Sequence, residues 1–347
     1  MPQSIHNAAI LGASGYTGAE TARLLATHPH LRIGAVTGNQ LAGKLLGEVF
    51  PHLGRNGQQA ILRNEDVDWD RIEVAFGCLP HGTSQDLIET LPDHVTVVDL
   101  SADYRLRDAA VYAETYGRAH INPARTETAV YGLTEHVRDR LRGAKLVACP
   151  GCYPTAALLA LIPPIAGQVL STEGLIIDAK SGISGAGRSL KETTLFCETA
   201  EGVHPYAIGS HRHAPEIEQE LSLAAGGTPV TITFTPHLVP MTRGEMVTIY
   251  GDGDPEAVRN ALREAYAGEP FVTVLDAGDP PPDTRHVRGT NQCRIGVYRS
   301  RRSGQSIIVA VIDNLTKGSS GQAVQNLNVM MGWPETLGLD TLTPLFP

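Results

Sequence analysis

Two cysteines stand three residues apart in the stretch Ala148-Cys149-Pro150-Gly151-Cys152-Tyr153-Pro154. That spacing admits several chemistries. The pair could be a redox dithiol, half of a zinc site completed by His211 and His213, two small buried hydrophobes, or a bystander beside a nucleophile. The residues that follow bear on the choice. Pro154 and the apolar run over 155–162 read as the start of a helix, because a proline in the first turn gives up an N–H that has no partner there. Cys152 is thereby expected just ahead of a helix N-terminus, where the dipole favours thiolate over thiol. A thioredoxin-type motif opens the first helix of a small domain, whereas this one comes near residue 150. Zinc-binding histidines are usually spaced three to five residues apart, whereas His211 and His213 are two apart. The nucleophile reading is therefore preferred for Cys152 and the packing reading for Cys149, with no metal expected.

A thiol nucleophile needs a proton acceptor, and the stretch 210–221 offers one. In an extended segment His211 and His213 share a face. Pro215 and Glu216 then open a helix, and Glu216 is expected to fix the tautomer of one histidine by accepting its N–H. His237 is a weaker candidate. A glycine-rich loop, 180–191, presents backbone N–H groups at Gly182, Ser184 and Gly185 that could hold a phosphate or the nicotinamide end of a cofactor. Arg188 in that loop could pair with an anion. Arg105 follows a strand end, where ligands of open α/β sheets gather.

These groups need elements to position them. Gly12, Gly15 and Gly18 separate an apolar strand at 8–11 from a helix that starts at 19 and ends before Pro29, and a second strand follows at 31–38. Strand, glycine turn, helix and strand in that order form one βαβ unit, whose helix N-terminus suits a dinucleotide phosphate. The second strand ends in Thr37, Gly38, Asn39 and Gln40, with Lys44 beyond it. No carboxylate stands there to hold a ribose hydroxyl or repel a 2′-phosphate, so NADP is expected over NAD. Further strands at 72–79, 95–103 and 145–151, with a helix at 83–91, predict a doubly wound parallel sheet. After Cys152 the pattern changes. Strands at 174–182, 228–238, 245–252, 271–276, 291–300 and 306–313 with one helix among them, at 255–266, predict a mostly antiparallel sheet. A last helix is expected over 319–332.

Composition removes other classes. The net charge of −9 argues against a general nucleic-acid binder, and the basic run 299–302 reads as a hairpin tip. No apolar run reaches the ~18 residues of a membrane span. The first residues lack the basic segment and cleavage site of a signal peptide. Five scattered cysteines make no disulfide framework and fit a reducing, cytoplasmic setting.

With these pieces assembled, the chain resembles the N-acetyl-gamma-glutamyl-phosphate reductase family almost end to end. The motifs that carry the likeness are 12–20 (GASGYTGAE), 79–82 (LPHG), 99–105 (DLSADYR), 148–163 (ACPGCYPTAALLALIP), 180–188 (KSGISGAGR), 211–217 (HRHAPEI), 235–244 (TPHLVPMTRG) and 313–328. The family's usual YGLPE reads YGLTE at 131–135, and another residue more often stands where this chain has Cys149, so the paired look of the cysteines is incidental to the family.

The resemblance implies an α/β fold of the glyceraldehyde-phosphate and aspartate-semialdehyde dehydrogenase type. A Rossmann NADP-binding domain, 1–151, is completed by the C-terminal helix in 315–347. An α+β catalytic and dimerisation domain spans 152–314. The implied reaction is NADPH-dependent reduction of N-acetyl-L-glutamyl 5-phosphate through a Cys152 thioester, a step of arginine biosynthesis, by a homodimer or homotetramer. His213, His211 and Glu216 are implied in the proton chemistry. Gly12, Ser14, Gly15, Tyr16, Thr17, Gly18, Thr37, Asn39, Pro80, Ser181, Gly182, Asn314 and Gly318 are implied along the cofactor. Ser101, Arg105, Ser184, Gly185, Arg188 and Arg243 are implied at the substrate. A sister activity on carrier-bound aminoadipyl phosphate is the alternative that shares these motifs. A carrier protein would want a basic rim, which this acidic chain lacks.

Overall fold

The computed structural model describes residues 5–345. They form two compact units. One runs to Pro150 and takes in Ser319–Thr341; the other is Gly151–Gly318 with residues 342–345.

The first unit is built on seven strands: β1 (His6–Leu11), β2 (Leu31–Thr37), β3 (Ile61–Leu62), β4 (Val74–Gly77), β5 (Thr96–Asp99), β6 (Val130–Tyr131) and β7 (Leu146–Ala148). Their order is β3-β2-β1-β4-β5-β7-β6, and every pairing is parallel. β4 and β5 are buried along their whole length, as strands covered on both faces must be. The strand order reverses between β1 and β4, and ligands of such sheets bind outside the carboxyl ends at that point. The glycine turn and the loop from Cys78 to Gly82 leave from those two ends. The helix Gly321–Met330 packs into this unit, where Ser320 Oγ donates to Thr17 O at 2.9 Å and Asn326 Nδ2 to Gly132 O at 2.8 Å.

The second unit has β8 (Leu175–Gly182), β9 (His204–Pro205), β10 (Ile232–Val239), β11 (Glu245–Asp252), β12 (Val272–Val274), β13 (Cys293–Arg299) and β14 (Gln305–Ile312). Their order is β12-β13-β14-β11-β8-β10-β9, mixed, with four antiparallel pairings and two parallel ones. Burial alternates residue by residue along β10 and β11, as it does when only one face is covered. The helices Cys152–Ala166, Ala214–Ala224 and Pro255–Ala265 belong to this unit.

One detail of the sequence reading is corrected. Cys152 is not ahead of its helix but is its first residue, with Gly151 as the cap in extended conformation. The helix runs on to Ala166, past the expected 155–162, because Pro163 and Pro164 fall in its last turn and are accommodated there.

Candidate active site

Cys152 is half-buried at the head of a helix whose body lies almost wholly in the core. Two contacts fix that helix start. Thr155 N and Oγ1 both donate to Gly151 O at 2.9 Å. Gly151 N donates to Glu216 Oε1, also at 2.9 Å, and Glu216 is fully buried. Glu216 stands in the first turn of the helix Ala214–Ala224, whose cap is His213. One buried carboxylate therefore ties the histidine-bearing turn to the residue before the cysteine. This anchoring part was not foreseen from the sequence, which gave Glu216 a bond to a histidine.

The two histidines do come together, but through a turn and not in the expected extended segment, since His213 takes the helical φ −83°, ψ −14° of the cap of the helix that follows. Their ring centroids are 4.8 Å apart, and the Tyr153 ring lies 5.7 Å from His211 and 5.9 Å from His213. Tyr206 closes the cluster, its hydroxyl donating to that of Tyr153 at 3.2 Å. His211 Nδ1 accepts the His213 N–H at 3.1 Å, which leaves the proton of a neutral ring on Nε2. Burial, and then Arg212, hold the His211 pKa down at about 4, so this ring is neutral at pH 7. A base that weak holds no proton at neutral pH. His237 lies in the sheet, with Nδ1 3.1 Å from Ala179 O and 3.2 Å from Asp178 Oδ1.

Around the cysteine the backbone is packed to the limit. A Cβ on Gly318 would stand 2.8 Å from Cys152 Cβ, so only glycine fits there. Asn314 is buried and both ends of its amide are engaged: Oδ1 accepts from Gly244 N and Nδ2 donates to Ser184 Oγ, each at 2.9 Å. The 181–187 loop is thereby stapled to the strand ends. Ser181 and Ser184 are buried, whereas Gly185 and Arg188 are exposed. Gly182 packs on the Met241 and Thr242 carbonyls, which leaves no room for a side chain. Arg243 lies 3.4 Å from the buried Asp313, a carboxylate that also accepts from the N–H groups of Gly289, Leu315 and Thr316. Sequence reasoning missed Glu245. It is wholly buried at the start of β11, and burial raises its pKa to about 8 with the Cys152 thiol as a side-chain partner. An acid on the inward-facing position of a strand was the available signal.

In the first unit the three glycines divide the labour. Gly12 takes φ +79, and a Cβ there would meet Cys78 O at 2.5 Å. Gly18 would drive a Cβ to 2.5 Å from Ala13 Cα. Gly15 alone is open, its nearest neighbour being Gly12 O at 3.6 Å. Turn, helix–strand packing and a bare backbone at the helix cap are what a pyrophosphate seat requires, so the cradle fits a dinucleotide. Ser14, Tyr16 and Thr17 surround that cap, and Tyr16, Asn39 and Pro80 are exposed. Thr37 is buried, and its hydroxyl accepts the Gly12 N–H at 3.3 Å, so it shapes the turn.

Two expected substrate residues are engaged internally in the same unit. Ser101 is fully buried, donates to Asp99 Oδ2 at 2.7 Å and accepts from Asp103 N at 3.1 Å. Arg105 is buried and donates to the carbonyls of Cys149 at 2.7 Å and Leu100 at 2.9 Å. Cys149 is buried, and burial pushes its thiol up to about 12, which keeps it protonated and inert. None of the five cysteines is in a disulfide.

Comparison with known proteins bears on both units. The semialdehyde dehydrogenase NAD binding domain matches residues 7–144, and the semialdehyde dehydrogenase dimerisation domain matches 152–314. The N-acetyl-gamma-glutamyl-phosphate reductase of Rhodospirillum rubrum is 52% identical over 98% of this chain and 99% of its own length. The probable chloroplastic N-acetyl-gamma-glutamyl-phosphate reductase of rice is 51% identical over 98% of this chain and 82% of its own. Among solved structures, aspartate semialdehyde dehydrogenase II of Vibrio cholerae aligns with a TM-score of 0.71 at 16% identity, over 95% of this chain and 99% of that one. The Candida albicans aspartate semialdehyde dehydrogenase with NADP aligns at 0.69 and 16%, over 94% and 98%. At such identity these structures speak for the fold.

Proposed function

The chain belongs to the N-acetyl-gamma-glutamyl-phosphate reductase family, and on that premise we propose that it reduces N-acetyl-L-glutamyl 5-phosphate to the 5-semialdehyde and phosphate, with NADPH as reductant. The reading gives it a place in arginine biosynthesis, in the cytoplasm, as a homodimer or homotetramer assembled through the 152–314 domain. The observation that carries the mechanism is the Glu216–Gly151 bond, which docks the turn bearing His211 and His213 on the head of the cysteine helix. The aminoadipyl alternative is not favoured, since the relatives at about half identity carry the glutamyl-phosphate name.

Cys152 attacks the acyl carbon as the thiolate. Phosphate departs and a thioester remains, splitting one hard displacement into two easier steps. NADPH, when bound, supplies the hydride that reduces this thioester. His213 removes the thiol proton before attack and returns one to the substrate oxygen afterwards; His211, neutral and bonded to the His213 backbone, orients it. Ser14, Gly15, Tyr16, Thr17, Asn39 and Pro80 would hold the dinucleotide, with Gly12, Gly18 and Thr37 shaping its turn. Ser181, Gly182, Asn314 and Gly318 would lie toward the nicotinamide. Ser184, Gly185, Arg188 and Arg243 would grip the acyl phosphate. Ser101 and Arg105 would serve the substrate by bracing the strand-end loops.

The test runs the reaction backwards, from the semialdehyde, phosphate and NADP, following NADPH absorbance. Wild type and Cys149→Ser should turn over with phosphate dependence, and Cys152→Ser should not. Loss of turnover in both cysteine variants would show that the pair acts as a unit and would overturn the reading.

A further inference from the structure

The carboxyl of Glu245 is placed for more than packing. The residue is fully buried, and neither oxygen has an N–H or O–H partner among the described residues. A carboxyl left so is costly unless it holds a proton or has a special neighbour. The neighbour here is the Cys152 thiol, with which the carboxyl can hydrogen-bond. The backbone explains the approach. β11 pairs Glu245 with Ile312 of β14 and Ser181 of β8. Gly318 packs at once against Ile312 and Cys152, so the strand neighbour of Glu245 and the cysteine meet at the same glycine.

We propose that Glu245 takes the Cys152 proton, so that thiol and carboxyl together hold one proton and Glu245 keeps it while the sulfur carries the acyl group. This deepens the thioester reading and rests on it. The step balances. The proton moves from Sγ to a carboxyl oxygen, the S–C bond forms as the C–O bond to phosphate breaks, and the proton is at hand when collapse restores the thiolate. Glu245 thereby replaces His213 as acceptor of the thiol proton, and His213 is left to serve the substrate oxygen. The charged and titratable groups that face Glu245 oppose a pair stripped of both protons. Asp313 repels a second negative charge, and Tyr153 and Tyr206 feel the same field, while Arg243 is turned to Asp313. Burial acts in the same direction, raising the carboxyl to about 8. Such a pair titrates as a unit.

The experiment counts protons. Cys197→Ser removes the exposed thiol, and this protein is alkylated with iodoacetamide at pH 7 in weakly buffered solution, with the modified cysteine identified by peptide mass. If the pair shares one proton, Glu245 retains it after the sulfur is capped, and close to none is released. In Glu245→Gln, which cannot take a proton, capping Cys152 should release about one, and turnover should fall on the order of 10²-fold, the usual worth of a general base. Release of about one proton from the Glu245-containing protein overturns the proposal whether or not the Gln variant folds, and so does release of none from a folded Gln variant. Failure of the thioester reading shows separately, as turnover that survives Cys152→Ser.

Discussion

The glycine turn offers a perturbation whose two halves must give opposite results. Gly18→Ala places a methyl 2.5 Å from Ala13 Cα and 2.7 Å from Gly12 O, both backbone atoms that cannot swing away. Overpacking of this kind costs about 1–3 kcal/mol, and the contact with rigid backbone puts it at the upper end. The better helix propensity of alanine returns up to about 1 kcal/mol. A net loss of about 2 kcal/mol follows, a fall of about 4–8 °C in melting temperature for a unit of this size. Gly15→Ala meets only Gly12 O at 3.6 Å, and its φ of −87° suits any residue, so the structure tolerates it. Losing glycine at a helix cap costs less than about 1 kcal/mol. If the cofactor pyrophosphate lies against the bare backbone at Gly15, however, that methyl occupies its seat. NADPH titration by fluorescence beside thermal melts separates the two. Gly15→Ala should weaken NADPH binding at least about tenfold, a loss of about 1.4 kcal/mol, while melting near wild type. A Gly15→Ala protein with unaltered NADPH affinity would refute the assignment of this turn, and a Gly18→Ala protein as stable as wild type would refute the packing argument.

Two further outcomes follow from the same geometry. Asn39 and Gln40 are exposed at the end of β2, and no carboxylate lies between Thr37 and Gly47, so turnover with NADPH should exceed that with NADH; a ratio below one would remove this loop from the specificity argument. His211 has a folded pKa of about 4 against about 6.5 unfolded, so the unfolded chain binds the extra proton and stability falls as pH drops from 6.5 toward 4. The full shift is worth about 3 kcal/mol, less where solvent reaches the ring, and in urea unfolding the wild-type minus His211→Phe difference should fall as pH drops over that window, a difference that stays flat refuting the assignment.

What was legible in the sequence was what is local. Gly12, Gly15 and Gly18, the proline after Cys152 and the His-x-His pair each announce a turn or a helix start within a few residues, and the structure puts strands and helices there. The two-residue strands β3, β6 and β9 carry no periodicity and could not be read, and the helices Ala109–Tyr116 and Thr134–Leu141 were lost among loops. Thr37 was expected at the cofactor because its hydroxyl can donate, and Ser101 at the substrate by resemblance alone. Their hydroxyls are instead held by Gly12 and by Asp99 and Asp103. Residue type alone does not say which way a hydroxyl points.

Glu245 and Gly318 show the other limit. Each lies beside Cys152 although at least 93 residues away in the chain, so no spacing rule could connect them. Gly318 excludes a side chain from the space beside the sulfur, and the strand pairing that places Glu245 there runs through Ile312, six residues before that glycine. The helix dipole that the sequence suggested for Cys152 favours a thiolate but gives its proton nowhere to go. On the proposal above, the buried Glu245 carboxyl, which has no N–H or O–H donor among the described residues, completes that chemistry. If the proton count assigns it the Cys152 proton, the cysteine is activated by a strand of the sheet as much as by the helix it heads.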